Sequence, residues 1–222
     1  VALDEKANLW VFFGTGRFLD TSDRTLDGTE RWSFYGIKDT CKPWLSANFT
    51  CTTTMNNLLD VSSAVVATGG GTVSGVTGVT DWTSLLAAID NTKQGWQINF
   101  PDSGERSVFK PLILGGLAVW TTYTPSLNVC ASEGTSNVYA AFYKTGTAYK
   151  NFVFTQASTD TTVDRSQSLG TGLPSSVGAM VTGDNTMMGF IQQSTGTIMQ
   201  IEQVTPFGLK SGVAGWRREI IP

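Results

Sequence analysis

Between Gly104 and Gly146 the chain reads GERSVFKPLILGGLAVWTTYTPSLNVCASEGTSNVYAAFYKTG, and this stretch narrows the possible folds more than any other. Val108 and then Leu112, Ile113 and Leu114 lead to Gly115-Gly116, after which Leu117 to Tyr123 resumes at once with β-branched and aromatic residues. Two glycines between two such runs are the signature of a tight hairpin joining antiparallel strands. A further run, Asn137 to Tyr143, stops at Lys144-Thr145-Gly146. A hairpin followed by a strand and closed by a glycine-containing polar turn is most of one blade of a β-propeller.

The same grammar recurs along the chain. Asn8 to Gly16 is an apolar run ending in Gly-Thr-Gly, expected as a strand buried on both faces, and Trp32 to Lys38 is its return strand. Met55 to Ala67 fits either a strand or a short helix. The Gly-, Val- and Thr-rich residues 68–80 fit a flexible loop or a hairpin, with the hairpin preferred. Asp81 or Thr83 caps a short helix through Leu85, Leu86 and Ile89. Gly95 to Phe100 alternates large side chains before a Pro-Asp-Ser-Gly turn. Ala148 to Thr155 is expected as a strand and Thr159 to Gly172 as a polar loop. Val177 to Thr182 and Thr186 to Gln192 form a strand pair around Gly183-Asp184-Asn185, and Thr197 to Val204 alternates strictly. Blade-like units therefore centre near 8–39, 95–143 and 148–204. The expected architecture is all-β: a modified propeller segment of about three to four blades, in one domain over residues 1–222, forming the C-terminal part of a larger propeller.

Composition restricts the function. Charged residues are 15% of the chain against 24 glycines, the profile of an exported, turn-rich β protein. The net charge is −3, and no basic cluster exceeds Arg217-Arg218, so nucleic acid is not an expected partner. No apolar run reaches the roughly 18 residues of a membrane-spanning helix. The start, VALDEKANLW, has no leader pattern, and the chain is expected to begin inside a longer precursor or after processing. Cys41, Cys51 and Cys130 are an odd number. A disulfide between Cys41 and Cys51 would close a short loop worth roughly 2–3 kcal/mol, leaving Cys130 unpaired or as an alternative partner. The other reading places all three in the core as small apolar residues.

The chain has no histidine, which removes Ser-His-Asp and Cys-His nucleophiles and the commonest metal ligand together. Of the carboxylates, Asp102 and Glu105 share a turn, Glu202 and Glu219 lie near the end, and all four are expected as solvated turn or edge residues. Asp20, Asp23 and Asp27 are the candidate calcium ligands. Their spacings of three and four, with Arg24 between, do not follow the alternating oxygen pattern of a calcium loop, and a solvated loop is the preferred reading. No enzymatic activity is expected.

Taken as a set, WVFFGTGRFLDTSD (10–23), WSFYGIKD (32–39), GWQINFPDSGER (95–106), KPLILGGLAVWTTYTPSLNVC (110–130), NVYAAFYKTG (137–146) and GLPSSV (172–177) resemble the C-terminal propeller domain of the PilC/PilY family, type IV pilus-associated adhesin and biogenesis proteins. The resemblance covers nearly the whole chain. It implies an exported protein at the pilus or outer cell surface, promoting pilus assembly and attachment to host or abiotic surfaces, with the pilins as partners. Calcium is bound in that family by a loop of alternating aspartates. No stretch here matches it, so no cofactor is expected. Tyr139 to Gly146 also resembles blade strands of quinoprotein dehydrogenases. That reading needs calcium ligands and a stacking tryptophan, whereas Trp10, Trp96, Trp120 and Trp216 sit in or beside strands, where large aromatics are ordinary core. An incomplete propeller exposes strand edges, so completion by an upstream part of the precursor, or by neighbouring copies, is a further expectation.

Overall fold

Residues that alternate large apolar with polar side chains form strands because successive side chains point to opposite faces of a sheet. A computed structural model describes residues 1–24, 31–39, 54–126, 133–183 and 186–209. In chain order its first half contains β1 (Ala2–Leu3), β2 (Leu9–Gly14), β3 (Ser33–Asp39), β4 (Leu59–Asp60), β5 (Val65–Ala67), β6 (Val73–Ser74), helix α1 (Trp82–Asn91) and β7 (Gly95–Asn99). The second half contains β8 (Leu112–Leu114), β9 (Leu117–Thr124), β10 (Thr135–Phe142), β11 (Thr162–Val163), β12 (Ser166–Thr171), β13 (Gly178–Gly183), β14 (Thr186–Gln192) and β15 (Ile198–Val204).

These make four sheets: a first sheet ordered β1-β2-β3-β7-β4, a middle sheet β12-β10-β9-β8, an outer sheet β13-β14-β15 and a small sheet β11-β5-β6. All pairings are antiparallel except β4 with β7. The blade boundaries differ from the sequence expectation. β7 completes the first sheet against β3 and does not join the middle sheet, while β12 joins the middle sheet against β10. The small sheet has no counterpart among the expected units.

The two central strands of the middle sheet, β9 and β10, are buried on both faces, and this organises the molecule. Ala118, Trp120, Tyr139 and Ala141 enter one core with Trp10, Phe12, Phe34 and Trp96 of the first sheet. Leu117, Val119, Val138 and Ala140 point the other way, into a second core with Met187, Ile191 and Ile201 of the outer sheet. Between the first two sheets the aromatic rings run as a ladder. Tyr139 stacks on Trp120 at 5.1 Å, Trp120 on Phe34 at 3.8 Å, and Phe34 on Trp96 at 6.0 Å. Rings that meet by offset stacking contribute roughly 0.5–1.5 kcal/mol per pair beyond their buried area. Sheets packed face to face in succession are the arrangement of neighbouring propeller blades.

The hairpin at Gly115-Gly116 forms as expected, with Leu114 opposite Leu117 and both glycines at positive φ, 58° and 88°. The segment after β15 folds back over it: Phe207 N donates to Gly115 O at 3.0 Å, and the Phe207 ring lies where a Cβ on Gly116 would sit. Helix α1 is also as expected. The Asp81 carboxylate accepts from Ser84 N at 2.7 Å, and Leu85 and Ile89 are buried beneath the helix.

Three expectations fail. β2 is buried on one face only, because Phe13 on its other face is 40% exposed. Residues 148–155 form no strand, and residues 162–171 contain β11 and β12 instead of a loop. Met55 to Ala67 is neither one strand nor one helix; it divides into a 3-10 turn at Met55–Asn57, β4 and β5. Residues 68–80 supply only the turn and the second strand of a hairpin, whose first strand, β5, precedes them: Val65 and Val66 pair with Ser74 and Val73.

Asp4 pins the start of the first sheet. Its carboxylate is nearly buried and accepts from Lys6 N, Asn8 N, Asn8 Nδ2 and Trp10 Nε1, all at 2.8–3.1 Å. Burial alone would raise its pKa, yet these hydrogen bonds together hold it below the usual 3.8. A carboxyl whose folded pKa is depressed stabilises the fold above its unfolded pKa, and that contribution is lost as pH falls through the folded value. Stability should therefore decline from about pH 5 to pH 3, and Asp4→Asn should make the decline shallower, read from urea midpoints across that range.

Candidate functional site

A groove of about 630 Å³ opens where the end of β2 meets the irregular segment that precedes β8. One wall comes from Phe12, Phe13, Phe18 and Leu19, the other from Val108, Phe109 and Pro111, with Leu173 at one end. Among the described residues its charged lining is limited to Arg17 and Lys110, and none of them brings an acidic side chain to it.

Local sequence explains the crossing that shapes it. The Gly-Thr-Gly of residues 14–16 lets segment 105–107 pass at contact distance: a Cβ on Gly14 would lie 2.3 Å from Ser107 Cβ, and one on Gly16 would lie 2.4 Å from Arg106 Cβ. Gly16 also holds φ +144°, a conformation L side chains rarely adopt. Across the crossing, Ser107 N donates to Thr15 O at 3.0 Å. Gly16→Ala should therefore cost about 1–3 kcal/mol in a urea titration by forcing the two walls apart.

The wall at 17–19 is fixed from beneath. Arg106 is 1% exposed; its Nε donates to Gly104 O at 2.9 Å, and its guanidinium donates to the carbonyls of Arg17 and Asp23. Asp23 accepts from Leu19 N and Asp20 N at 2.7 and 3.0 Å, and from Arg17 Nε at 2.7 Å. The backbone donors lead in lowering its pKa, with burial opposing them.

Of the three aspartates considered for calcium, Asp23 thus caps the groove loop, Asp20 accepts from Ser22 N at 2.9 Å, and Asp27 lies outside the described residues. Among the described residues no group of three His, Cys, Asp or Glu side chains gathers as a metal site would. Cys41, Cys51 and Cys130, Glu219 and Trp216 all lie outside the described residues.

One functional residue departs from its sequence reading. Asp102 and Glu202 are exposed, as expected, but Glu105 is fully buried. Its Oε1 accepts from Thr122 Oγ1 at 2.6 Å, Tyr139 Oη at 2.9 Å and Asn137 Nδ2 at 3.3 Å. Burial, and then the Glu105 charge, drive the Tyr139 phenol pKa strongly upward, so that hydroxyl stays a donor. Glu105 therefore ties the groove segment to β9 and β10 of the middle sheet. Its position one residue before Arg106 carried no warning, because the partners that bury it come from strands later in the chain.

Successive sheets packed face to face through aromatic and aliphatic cores, with a groove at their rim, define an all-β, propeller-like domain. The comparisons agree. No family model matches the chain. It is 26% identical over 145 residues to the type IV pilus biogenesis factor PilY1 homolog of Xylella fastidiosa (strain Temecula1), a match covering 63% of this chain and 9% of that protein. It superposes on the crystal structure of the Pseudomonas aeruginosa PilY1 C-terminal domain with a TM-score of 0.56 at 17% identity, covering 86% of this chain and 41% of that one. The chain resembles the C-terminal domain of PilY1, the family likeness read in its motifs, and has the propeller-like fold of that domain. It spans less than half the length of either protein.

Proposed function

We propose that this chain is a non-enzymatic domain of a type IV pilus-associated protein, acting outside the cell in pilus biogenesis and surface attachment. The observation that carries the reading is the 145-residue sequence match to a protein named as a pilus biogenesis factor. A binding role fits the site: the groove offers aromatic walls and two cations, and the buried carboxylate beside it is engaged in holding strands together. No helix among the described residues is long and apolar enough to cross a membrane. Residues 1–222 act as one unit in this reading, the pilins and a host or abiotic surface are its partners, and an upstream part of the same precursor completes the propeller.

Deleting the gene in the bacterium that carries it should remove or sharply reduce surface pili counted by electron microscopy, and a plasmid copy should restore them. Normal piliation in the deletion strain would overturn the proposal.

A second reading has an observation of its own. Among the described residues β13 pairs only with β14, and its sequence GAMVTG presents an uncharged edge with Met180 55% exposed, lacking the lysines or prolines that usually blunt such edges. Strand addition there between copies would make the chain the subunit of an extracellular fibre. Light scattering on a size-exclusion column separates the two: a monomer supports the first reading, a concentration-dependent ladder the second.

A further inference from the structure

The groove is more specific than an apolar cleft. After Arg106 pairs with Tyr123, the chain leaves the edge of the middle sheet and rejoins it only where Leu112 pairs with Val119. Through this detour Val108, Phe109, Lys110 and Pro111 make no backbone hydrogen bond to the described residues. Half-buried backbone groups without partners favour an occupant that brings its own. The side chains add a sign. Lys110 is exposed and has no ion pair or hydrogen bond among the described residues, while Arg17 is anchored through Nε to Asp23 with 66% of its side chain exposed. In a chain of net charge −3, the described lining carries two cationic side chains, the unpaired Lys110 and the Asp23-paired Arg17, above an aromatic floor.

We infer that the groove captures a short extended peptide segment of a partner protein, presenting a carboxylate to Lys110 and Arg17 and an aromatic or aliphatic side chain to Phe13 and Phe18. The inference rests on the pilus-assembly reading for who the partner is, and on the groove alone for its chemistry. Backbone hydrogen bonds along residues 108–110 supply affinity, as in strand addition, and the cations select for acidic sequence. The segment is short because Pro111 has no N–H to donate and the detour keeps a neighbouring strand from continuing along β8. The groove volume is within the range of about 300–1,000 Å³ usual for specific pockets.

The test uses the full chain and a fluorescein-labelled octapeptide of alternating glutamate and phenylalanine or valine, read by fluorescence anisotropy. Saturable binding is expected, weakened about tenfold by Lys110→Glu and by raising the salt, and abolished when the glutamates of the peptide are replaced by glutamines. Lys110 is exposed and unpaired, so its replacement leaves the fold intact, which circular dichroism confirms in the same samples. Equal binding of a lysine-phenylalanine peptide, no effect of Lys110→Glu, or binding only to anionic phosphatidylglycerol vesicles would overturn the inference. The outcome is independent of piliation: peptide capture with normal pili in the deletion strain would leave the groove chemistry standing and remove the pilus reading, and the reverse pattern would do the opposite.

Discussion

Trp120→Ala is expected to lower the free energy of unfolding by about 3–5 kcal/mol in a urea titration, a large share of the roughly 5–15 kcal/mol that holds a typical domain together. Trp120 is fully buried and lies between Phe34 at 3.8 Å and Tyr139 at 5.1 Å, so its removal opens a cavity where the first and middle sheets meet. Trp120→Phe separates area from polarity. The indole Nε1 has no hydrogen-bond partner among the described residues, so phenylalanine forfeits some contact but strands no other group, and should cost less than about 1.5 kcal/mol. Equal losses in the two variants would mean that the indole ring is not the link between sheets that its stacking implies.

The second large effect is at Glu105. Glu105→Ala removes the acceptor shared by Thr122, Tyr139 and Asn137 and leaves the Thr122 and Tyr139 hydroxyls buried without it; a loss of about 3–5 kcal/mol is expected. Glu105→Gln keeps an amide oxygen in the same place and should lose about 1–2 kcal/mol. Because Glu105 immediately precedes Arg106, the alanine variant should also loosen the groove walls, seen as faster proteolysis near residues 17–19 and 107–111. A Glu105→Ala protein as stable as the parent would show that the buried carboxylate is not the tie between this segment and the middle sheet.

What was legible in the sequence was local. Gly115-Gly116 between two β-branched runs fixes a hairpin because only glycine occupies positive φ at both positions without strain, and Asp81 followed by Ser84 fixes a helix start because the side chains satisfy the free N–H groups there. Pairing between distant segments was not legible. β12, SQSLGT, has too few apolar residues to read as a strand and is held by its ladder with β10, which includes a bulge between Ser136 and Asn137. Residues 148–155 read as a strand and are not one: Ala148 and Phe152 pack on the first core, Val153 and Phe154 on the second, and a segment crossing from one core to the other does not alternate sides residue by residue.

For the site, the sequence named Asp20, Asp23 and the Gly-Thr-Gly turn without their roles. The turn is glycine-rich because Ser107 and Arg106 cross it, and Asp23 is a cap because Leu19 and Asp20 turn their amides toward it. The crossing partners lie some ninety residues along the chain, beyond what spacing reveals, whereas the amides that Asp23 caps are three and four residues away and were hidden only because several loop geometries fit that spacing.

The account stands on β9 and β10 of the middle sheet being enclosed on both faces by their neighbours, and amide hydrogen exchange measured residue by residue tests that most directly. Amides of β9 and β10 should exchange only through global unfolding, the slowest in the chain, while those of β13 at the open edge exchange early. Exchange of β9 and β10 as fast as that of β13 would contradict the enclosed sheet, and with it the propeller-like stacking that positions the groove.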